Sequence, residues 1–263
     1  MVDTQFVQTQ DGTRIAYDVT ECATSETAPS LLLVHGYSDD RQLNWHAFGW
    51  AEKLSQDFRV ITVDLRGCGE SDAYSDVDRY RLDDYLSDLL AVMDAVGAEN
   101  YLFWGWSFGA TLGLHLAAHP AERLSRVVIS GTPFGAVFTQ EMVNPVINVW
   151  EQLITIKETG DYEKIAPEER DYLRQVNAQA MLTRWEATLV HHYMGVEPDA
   201  IKIPALVVTG TKDDYVVGEL EPYRDAMAEA GIKFHVFDEM DHHGLISDVE
   251  TVSPVIRAFL LGE

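Results

Sequence analysis

The chain has 263 residues, of which 46% are apolar and 24% are charged, so neither a disordered nor a fibrous protein is expected. It carries 43 acidic against 19 basic residues, a formal net charge of −24. Such a field repels phosphate backbones and anionic lipids, which argues against binding to nucleic acid or to a membrane surface. The acidity fits either adaptation to high salt or ordinary solubility, and both interpretations stay open.

The amino terminus has no basic region followed by an apolar stretch, and no later apolar run approaches the ~18 residues of a membrane span. We therefore expect a cytoplasmic protein without a membrane segment. Cys22 and Cys68 are too few for a disulfide framework, and no Cys/His cluster has zinc-ligand spacing. Free thiols and no metal site are expected.

Short β-branched runs alternate with longer amphipathic stretches, which predicts an α/β fold with a mostly parallel sheet covered by helices. Residues 5–9 and 14–20 alternate polar and apolar side chains around Asp11-Gly12, as in a hairpin. Helices are predicted over 82–96, where Gly97 ends the helix, and over 110–118. Runs that are apolar except for Thr62, typical of strands buried on both faces, lie at 31–34, 60–63, 101–104 and 127–129.

The rhythm of strands stops after residue 132. From 133 to 200 the pattern indicates helices and no strand, with helix starts near Asn144-Pro145 and Pro167-Glu168, because proline favours the first turn. The rhythm then resumes, and we expect residues 1–132 and 201–263 to form one core domain interrupted by a helical cap or lid at 133–200. The predicted elements of this last part are strands at 205–208 and 234–237 and helices at 219–230 and 249–261.

The strongest chemical signal is Gly105-Trp106-Ser107-Phe108-Gly109, which lies between a predicted strand and a predicted helix. In such a tight turn the serine hydroxyl is exposed at the helix N-terminus, where backbone amides favour developing negative charge. Small residues two positions before and after allow the close backbone packing. Ser107 is therefore the predicted nucleophile, and it requires a histidine to accept its proton and a carboxylate to orient that histidine.

From Leu31 onward the chain resembles the α/β-hydrolase superfamily, in the branch of esterases, lactonases and cofactor-free haloperoxidases. Three motifs carry this resemblance: His35-Gly36-Tyr37, the loop Asp-Leu-Arg-Gly-Cys-Gly-Glu-Ser at 64–71, and the pentapeptide around Ser107. The resemblance implies an α/β-hydrolase fold, in which a mostly parallel central sheet is flanked by helices and carries an inserted helical lid.

The resemblance also implies roles for individual residues. The backbone N–H groups of Tyr37 and Phe108 would form the oxyanion hole, and His35 would be a structural histidine that orients its loop. The run at 207–213 resembles the superfamily's strand followed by Gly-x-x-Asp, which implies Asp213 as the acid. The adjacent Asp214 is expected to be a solvated loop carboxylate.

Two histidines compete for the remaining position. Aligned with the superfamily between the strand that ends at Phe237 and the helix that starts at Val249, His242 takes the place of the base, and His243 is the alternative. Asp241 stands where the superfamily usually has glycine, which puts the shape of this loop in question.

These assignments together predict a serine hydrolase that acts on a small-molecule carboxylic ester or related acyl compound through an acyl-enzyme, without a cofactor. Ser107 argues against haloalkane dehalogenases and epoxide hydrolases, which resemble this chain but carry aspartate at the elbow. C–C bond hydrolases and perhydrolases of the same fold stay open, as does esterase against lactonase or thioesterase. The alternative of another class is a non-catalytic ligand-binding protein on this fold. Oligomeric state is not predicted.

Two groups in the predicted lid have competing interpretations. His191 and His192 suggest a metal site, but adjacent residues on a helix point in different directions, so we do not expect one. Aromatic residues would either line a pocket or form the lid's own core, and helical spacing favours the core. They are Trp150, Tyr162, Tyr172, Trp185 and Tyr193.

Overall fold

A sheet of eight strands runs through the residues that the computed structural model describes, which are 3–119, 123–135 and 137–263. The strand order is β1-β2-β4-β3-β5-β6-β7-β8; β3 to β8 are mutually parallel, and β1 and β2 are antiparallel to their neighbours. The strands are β1 (Gln5–Gln8), β2 (Arg14–Thr20), β3 (Ser30–Val34), β4 (Arg59–Val63), β5 (Tyr101–Trp106), β6 (Leu124–Ser130), β7 (Ala205–Gly210) and β8 (Lys233–Phe237).

Helices cover both faces of this sheet. Among the described residues, none of them combines the length and the apolar character needed to cross a bilayer. They are α1 (Trp50–Leu54), α2 (Leu82–Ala95), α3 (Phe108–Ala118), α4 (Gln140–Thr159), α5 (Pro167–Gln175), α6 (Ala178–Val190), α7 (Asp214–Leu220), α8 (Arg224–Glu229), α9 (Gly244–Ser247) and α10 (Val249–Leu261).

Alternate residues of the central strands enter two separate cores. In β3, Leu32 and Val34 pack with α2, α3 and the helices that follow β6, whereas Leu31 and Leu33 pack with α1, α9 and α10. All five residues of β3 are buried, because helices on both faces leave no solvent side to a central parallel strand. The predicted α/β-hydrolase fold, with its mostly parallel sheet between helices, is confirmed.

Two predicted helices differ from the structure, and the first is α4. It starts at Gln140, not near Asn144-Pro145, because the Thr139 side chain caps it by accepting from the Met142 N–H at 3.3 Å. Pro145 lies inside the helix, so proline was a misleading start signal.

The predicted helix over 219–230 is two helices, α7 and α8, and α7 begins five residues earlier, at Asp214. A short 3₁₀ turn over Glu221–Tyr223 separates them. Pro222 lies in that turn and has no N–H to continue the ladder of α7.

An element that the sequence analysis did not predict fills residues 42–54, where a π-helical turn (Gln42–His46) leads into α1. Its two tryptophans are fully buried and contact Trp104 of β5, with ring centroids 5.0 Å apart for Trp45 and 4.5 Å for Trp50. The segment therefore forms because large aromatic area is removed from water.

The described residues between β6 and β7 contain α4, α5 and α6 and no strand. We call residues 140–190 the helical insertion. Helix α4 packs against α6, and their buried residues Val143, Trp150 and Met181 join the core on the α2 and α3 side of the sheet. The insertion thus shares the core of the sheet on that face.

The turn from β5 into α3 brings the start of α3 against the end of β3. A Cβ atom added to Gly109 would lie 2.2 Å from the Val34 carbonyl oxygen, and one added to Gly105 would lie 2.2 Å from the Gly109 oxygen. Glycine is required at both positions because backbone, which has little room to move, occupies the space of a side chain.

Gly109→Ala therefore tests this packing. We expect it to lower the free energy of unfolding by about 1–3 kcal/mol, the usual cost of overpacking. Gly218→Ala is the matched control, because Gly218 lies in α7 with nothing within 4 Å of an added Cβ; it should be neutral or stabilising by up to about 1 kcal/mol. Urea unfolding followed by tryptophan fluorescence measures both, and equal stabilities for the two variants would contradict the packing argument.

Candidate active site

Ser107 lies between the end of β5 and the start of α3 in a strained backbone conformation, with φ 54° and ψ −117°. A non-glycine residue in such a conformation costs about 1–3 kcal/mol and persists only when its surroundings hold it. Here the Ser107 N–H donates to the Ser130 carbonyl at 2.8 Å, and the two flanking glycines allow the close approach described above. The turn places the partly exposed serine at the carboxyl end of a central parallel strand.

Asp213 and His242 meet at the same end of the sheet, after β7 and β8. His242 Nδ1 lies 2.7 Å from Asp213 Oδ2, and the carboxylate is only 7% exposed. Trp106 packs against the imidazole with ring centroids 5.0 Å apart, and its indole N–H donates to the His242 carbonyl at 3.1 Å. The carboxylate and the indole together fix the orientation of the ring.

The two adjacent histidines have different surroundings. His242 lines the cavity that contains Ser107, whereas His243 is exposed and packs against Phe48 with ring centroids 5.5 Å apart. Asp241 stands where glycine was expected, and its carboxylate accepts from the Gly244 N–H at 2.7 Å at the start of α9. This geometry favours His242 over His243.

A cavity of about 280 Å³ brings these side chains together. The hydroxyls of Thr111 and Thr132 are hydrogen-bonded to each other at 3.0 Å in its wall, and no lysine or arginine is among the described residues that line it. The Ser107 hydroxyl has no hydrogen bond to any of the described residues. In unliganded enzymes the hydrogen bond between a nucleophile and its base is often long and tightens on binding. The lining residues are Tyr37, Ser107, Phe108, Thr111, Gly131, Thr132, Pro133, Val137, Phe138, Met142, Trp185, Asp213, Tyr215, Val216 and His242.

Tyr37 and Phe108 border the cavity beside Ser107, after β3 and at the start of α3. Both residues are buried, at 6% and 2% exposure. Neither backbone N–H has an acceptor among the described residues. Buried N–H groups are nearly always paired in folded proteins, so these two are available to an acceptor that enters the cavity.

His35 holds the loop that carries Tyr37. Its Nε2 accepts from the Leu65 N–H at 3.0 Å, so the proton is on Nδ1, which donates to the Gly36 carbonyl at 2.6 Å. The ring is fully buried, and burial lowers its pKa to about 3. A neutral, doubly hydrogen-bonded imidazole agrees with the expected loop-orienting role.

Part of the cavity wall was not predicted. Phe138 and Met142, near the start of the insertion, and Tyr215, after Asp213, all line it. For Thr132 and Tyr215, the position in the sequence could have predicted that they line the cavity. Both follow predicted strands, and residues that follow the carboxyl ends of parallel strands converge at one edge of the sheet. For Phe138 and Met142 no sequence signal distinguishes the cavity from the insertion's own core.

Among the predicted lid aromatics, Trp185 lines the cavity. The hydroxyls of Tyr172 and Tyr193 instead donate to the carbonyls of Ser38 and Tyr80, and so tie the region after β6 to the core. Trp150 is buried in the core, and Tyr162 packs beneath Arg174.

His191 and His192 lie at the end of α6, and neither lines the cavity of Ser107. His191 Nε2 is 2.8 Å from the Val77 carbonyl oxygen, and His192 has a positive φ of 47°. In the described part of the chain, no group of three His, Cys, Asp or Glu side chains is arranged to hold a metal ion. Cys22 and Cys68 are free thiols, as expected.

The family model for the alpha/beta hydrolase fold matches residues 29–193, more than half of the chain. The chain belongs to the α/β-hydrolase family. Its match to epoxide hydrolase 4 of Mus musculus is 29% identical over 115 residues, covering 43% of this chain and 30% of the mouse protein. The matched region thus spans less than a third of that relative's length.

Solved structures of α/β hydrolases resemble the chain over nearly its whole length. The enol-lactonase of Burkholderia xenovorans has a TM-score of 0.76 at 22% identity. The match covers 98% of this chain and 100% of the lactonase chain. An esterase of Thermogutta terrifontis has a TM-score of 0.74 at 23% identity, with 98% of each chain covered. At identities this low, the likeness shows a shared fold and nothing further.

His35→Gln tests the buried neutral histidine through pH, because glutamine keeps a donor and an acceptor but does not titrate. The His35 pKa is about 3 in the folded protein against an ordinary value of 6.5 for a solvated histidine. The unfolded chain therefore binds the extra proton below pH 6.5, and the wild type loses stability as the pH falls through this window. The wild type's stability advantage over the variant should shrink by up to about 1.4 kcal/mol per pH unit.

Urea unfolding at pH 7.5, 6 and 5 measures this difference between the two proteins. A stability difference that does not change with pH would contradict the neutral, buried state of His35.

Proposed function

We propose that the protein is a serine hydrolase that cleaves carboxylic esters or related acyl compounds. Ser107 would be the nucleophile, His242 the base and Asp213 the carboxylate that orients it. The observation that carries this proposal is the strained Ser107 turn opening into the same cavity as the hydrogen-bonded Asp213–His242 pair.

The reaction would proceed in two acyl transfers. Ser107 Oγ attacks the carbonyl carbon while His242 Nε2 takes its proton, and Asp213 stabilises the imidazolium through Nδ1–H. The Tyr37 and Phe108 amides bind the oxyanion. His242 then protonates the departing alcohol, which leaves an ester on Ser107; a water molecule attacks that ester as His242 accepts its proton, and the acid is released with Ser107 restored. These steps need no cofactor.

The sequence relative named above is an epoxide hydrolase, and the residue at the elbow supports a different chemistry for this chain. Epoxide hydrolases, which resemble this chain in layout, use an aspartate there, whereas this chain has Ser107. A serine alkoxide generated by His242 is suited to attack on a carbonyl carbon. We therefore propose acyl transfer.

The size and lining of the cavity support the proposal that the substrate has a small, uncharged acyl group. Its volume is about 280 Å³, and the region that we propose as the cap, residues 133–200, contributes apolar wall through Val137, Phe138, Met142 and Trp185. No cationic side chain among the described lining residues would pair with a carboxylate on the substrate, and burying an unpaired charge is costly.

Replacement of Ser107 and His242 tests the assignments directly. Ser107→Ala and His242→Ala should each lower kcat/KM for 4-nitrophenyl butyrate by at least about a thousand-fold, because the attacking group or its base is lost. His243→Ala is the matched control and should stay within about twofold of the wild type, since its ring lies outside the cavity lining. Nitrophenol release measures all three; a greater loss for His243→Ala than for His242→Ala would reverse the assignment of the base.

A pair of esters tests the proposed substrate class. 4-Nitrophenyl butyrate and 4-nitrophenyl hemisuccinate have acyl groups of equal carbon number, but the second carries a terminal carboxylate. We expect kcat/KM for the hemisuccinate to be at least about tenfold lower, which corresponds to about 1.4 kcal/mol of lost transition-state binding. Comparable values for both esters would contradict an uncharged acyl pocket, and inactivity toward every ester would favour C–C bond hydrolysis or ligand binding.

A further inference from the structure

Arg184 is a fully buried arginine on α6 of the helical insertion. Its Nη1 donates to the Tyr37 carbonyl at 2.7 Å and contacts the Cys68 sulfur at 2.5 Å, and its Nε donates to the Tyr85 hydroxyl at 3.0 Å. No carboxylate of the described residues lies within ion-pair distance of it. Its Nη2 is buried without a hydrogen-bond partner among them.

Among the described residues, no carboxylate therefore neutralises the positive charge of Arg184. Burial raises the pKa of Cys68 to about 12 and also raises the pKa of Tyr37 and of Tyr85, so these neighbours are uncharged at neutral pH. Burying an unpaired guanidinium is costly, and the charge favours any negative charge that develops nearby.

Contacts run in both directions between Arg184 and Tyr37. The Tyr37 hydroxyl donates to the Arg184 carbonyl, while the Arg184 side chain donates to the Tyr37 carbonyl. The guanidinium carbon lies 4.5 Å from the centroid of the Tyr37 ring, and the next residue, Trp185, stacks on the same ring at 4.0 Å and 29°. Two consecutive residues of the insertion thus hold the backbone, ring and hydroxyl of Tyr37.

We propose that Arg184 is a positioning residue that fixes the Tyr37 amide as an oxyanion donor and so couples the helical insertion to the reaction. The proposal rests on the serine hydrolase function proposed above. An oxyanion donor acts only when it is held at hydrogen-bond distance from where the charge develops. The Tyr37 N–H has no hydrogen-bond acceptor among the described residues, so its direction depends on the contacts that hold the rest of the residue.

Three variants test this coupling against a matched control. Arg184→Met keeps the length of the side chain but removes its hydrogen bonds and charge; Arg184→Lys keeps the charge; Tyr37→Phe removes the reciprocal hydroxyl contact. Arg174→Met, an exposed arginine on α5 of the same insertion, is the control. With 4-nitrophenyl butyrate, Arg184→Met should lower kcat about 10- to 1000-fold with KM changed less than about threefold, and Arg184→Lys should recover part of this loss.

Tyr37→Phe should also lower kcat. The effects of Tyr37→Phe and Arg184→Met should not add in the double variant, because both break the same set of contacts between Arg184 and Tyr37. Arg174→Met should match the wild type.

A second readout is inhibition by butylboronic acid. Its boron accepts the Ser107 oxygen while the serine proton passes to His242, which gives a tetrahedral anion. The inhibition constant should rise in Arg184→Met roughly in proportion to the loss of kcat, a change that a merely structural role would not produce in folded protein.

Thermal unfolding establishes that each variant is folded before these comparisons. If Arg184→Met does not fold, Arg184→Lys and Tyr37→Phe decide the question by the same two readouts. Ester hydrolysis that depends on Ser107 but is unchanged in the folded Arg184 and Tyr37 variants would overturn the coupling and leave the proposed function intact. A wild type that hydrolyses no ester would overturn both.

Discussion

The close packing of the first turn of α3 on the end of β3 is the constraint on which the rest of the site depends. Gly109 brings these two backbones into contact, and this contact places Ser107 and the Phe108 amide beside the loop that carries Tyr37. The candidate nucleophile and both candidate oxyanion donors are thereby set by main-chain geometry. Preorganised backbone groups need no rearrangement when charge develops, which is the main advantage of such a site.

Buried charges hold the loops around this packing. Asp64, at the end of β4, accepts from the backbone N–H groups of Arg41 and Glu70, both at 2.8 Å, and also pairs with the Arg41 side chain. Arg66 forms a two-pronged pair with Asp88 of α2 at 2.6 and 2.7 Å. These contacts give the motif at 64–71 a physical role as scaffolding, since paired buried charges fix geometry even where they add little net stability.

Arg184 differs from these residues because, within the described part of the chain, its guanidinium contacts neutral groups and no carboxylate. Arg41 and Arg66 pair with carboxylates, whereas Arg184, beside the loop of the proposed oxyanion hole, has no such pair among the described residues. The chain has a net charge of −24, so carboxylates that could pair with an arginine are abundant in its sequence. The positive charge of Arg184 beside Tyr37 would favour the negative charge that the proposed acyl transfer creates at that point.

The sequence predicted the parts of the molecule that local patterns encode. Apolar runs predicted the central strands that the structure contains, and the Gly-x-Ser-x-Gly spacing between a strand and a helix led to Ser107 as the predicted nucleophile, because both signals lie within a few residues. The alignment favoured His242 as the base but left the adjacent His243 as an alternative, since the feature that distinguishes them is a contact with Asp213 across 29 positions of the chain. The other unpredicted parts also depend on contacts between distant segments. Arg184 has no feature in the sequence that distinguishes it from a solvated helix arginine. The cavity wall contributed by Phe138 depends on how the chain packs just before the insertion.

Covalent trapping tests the central claim, that Ser107 is the nucleophile, most directly. An alkyl fluorophosphonate would be attacked at phosphorus by the Ser107 oxygen with loss of fluoride, and peptide mass spectrometry would locate the product. We expect one adduct on the peptide that contains Ser107, loss of ester hydrolysis in proportion to labelling, and no adduct in Ser107→Ala. Labelling of another residue with equal loss of activity, or full activity after Ser107 is labelled, would contradict the account.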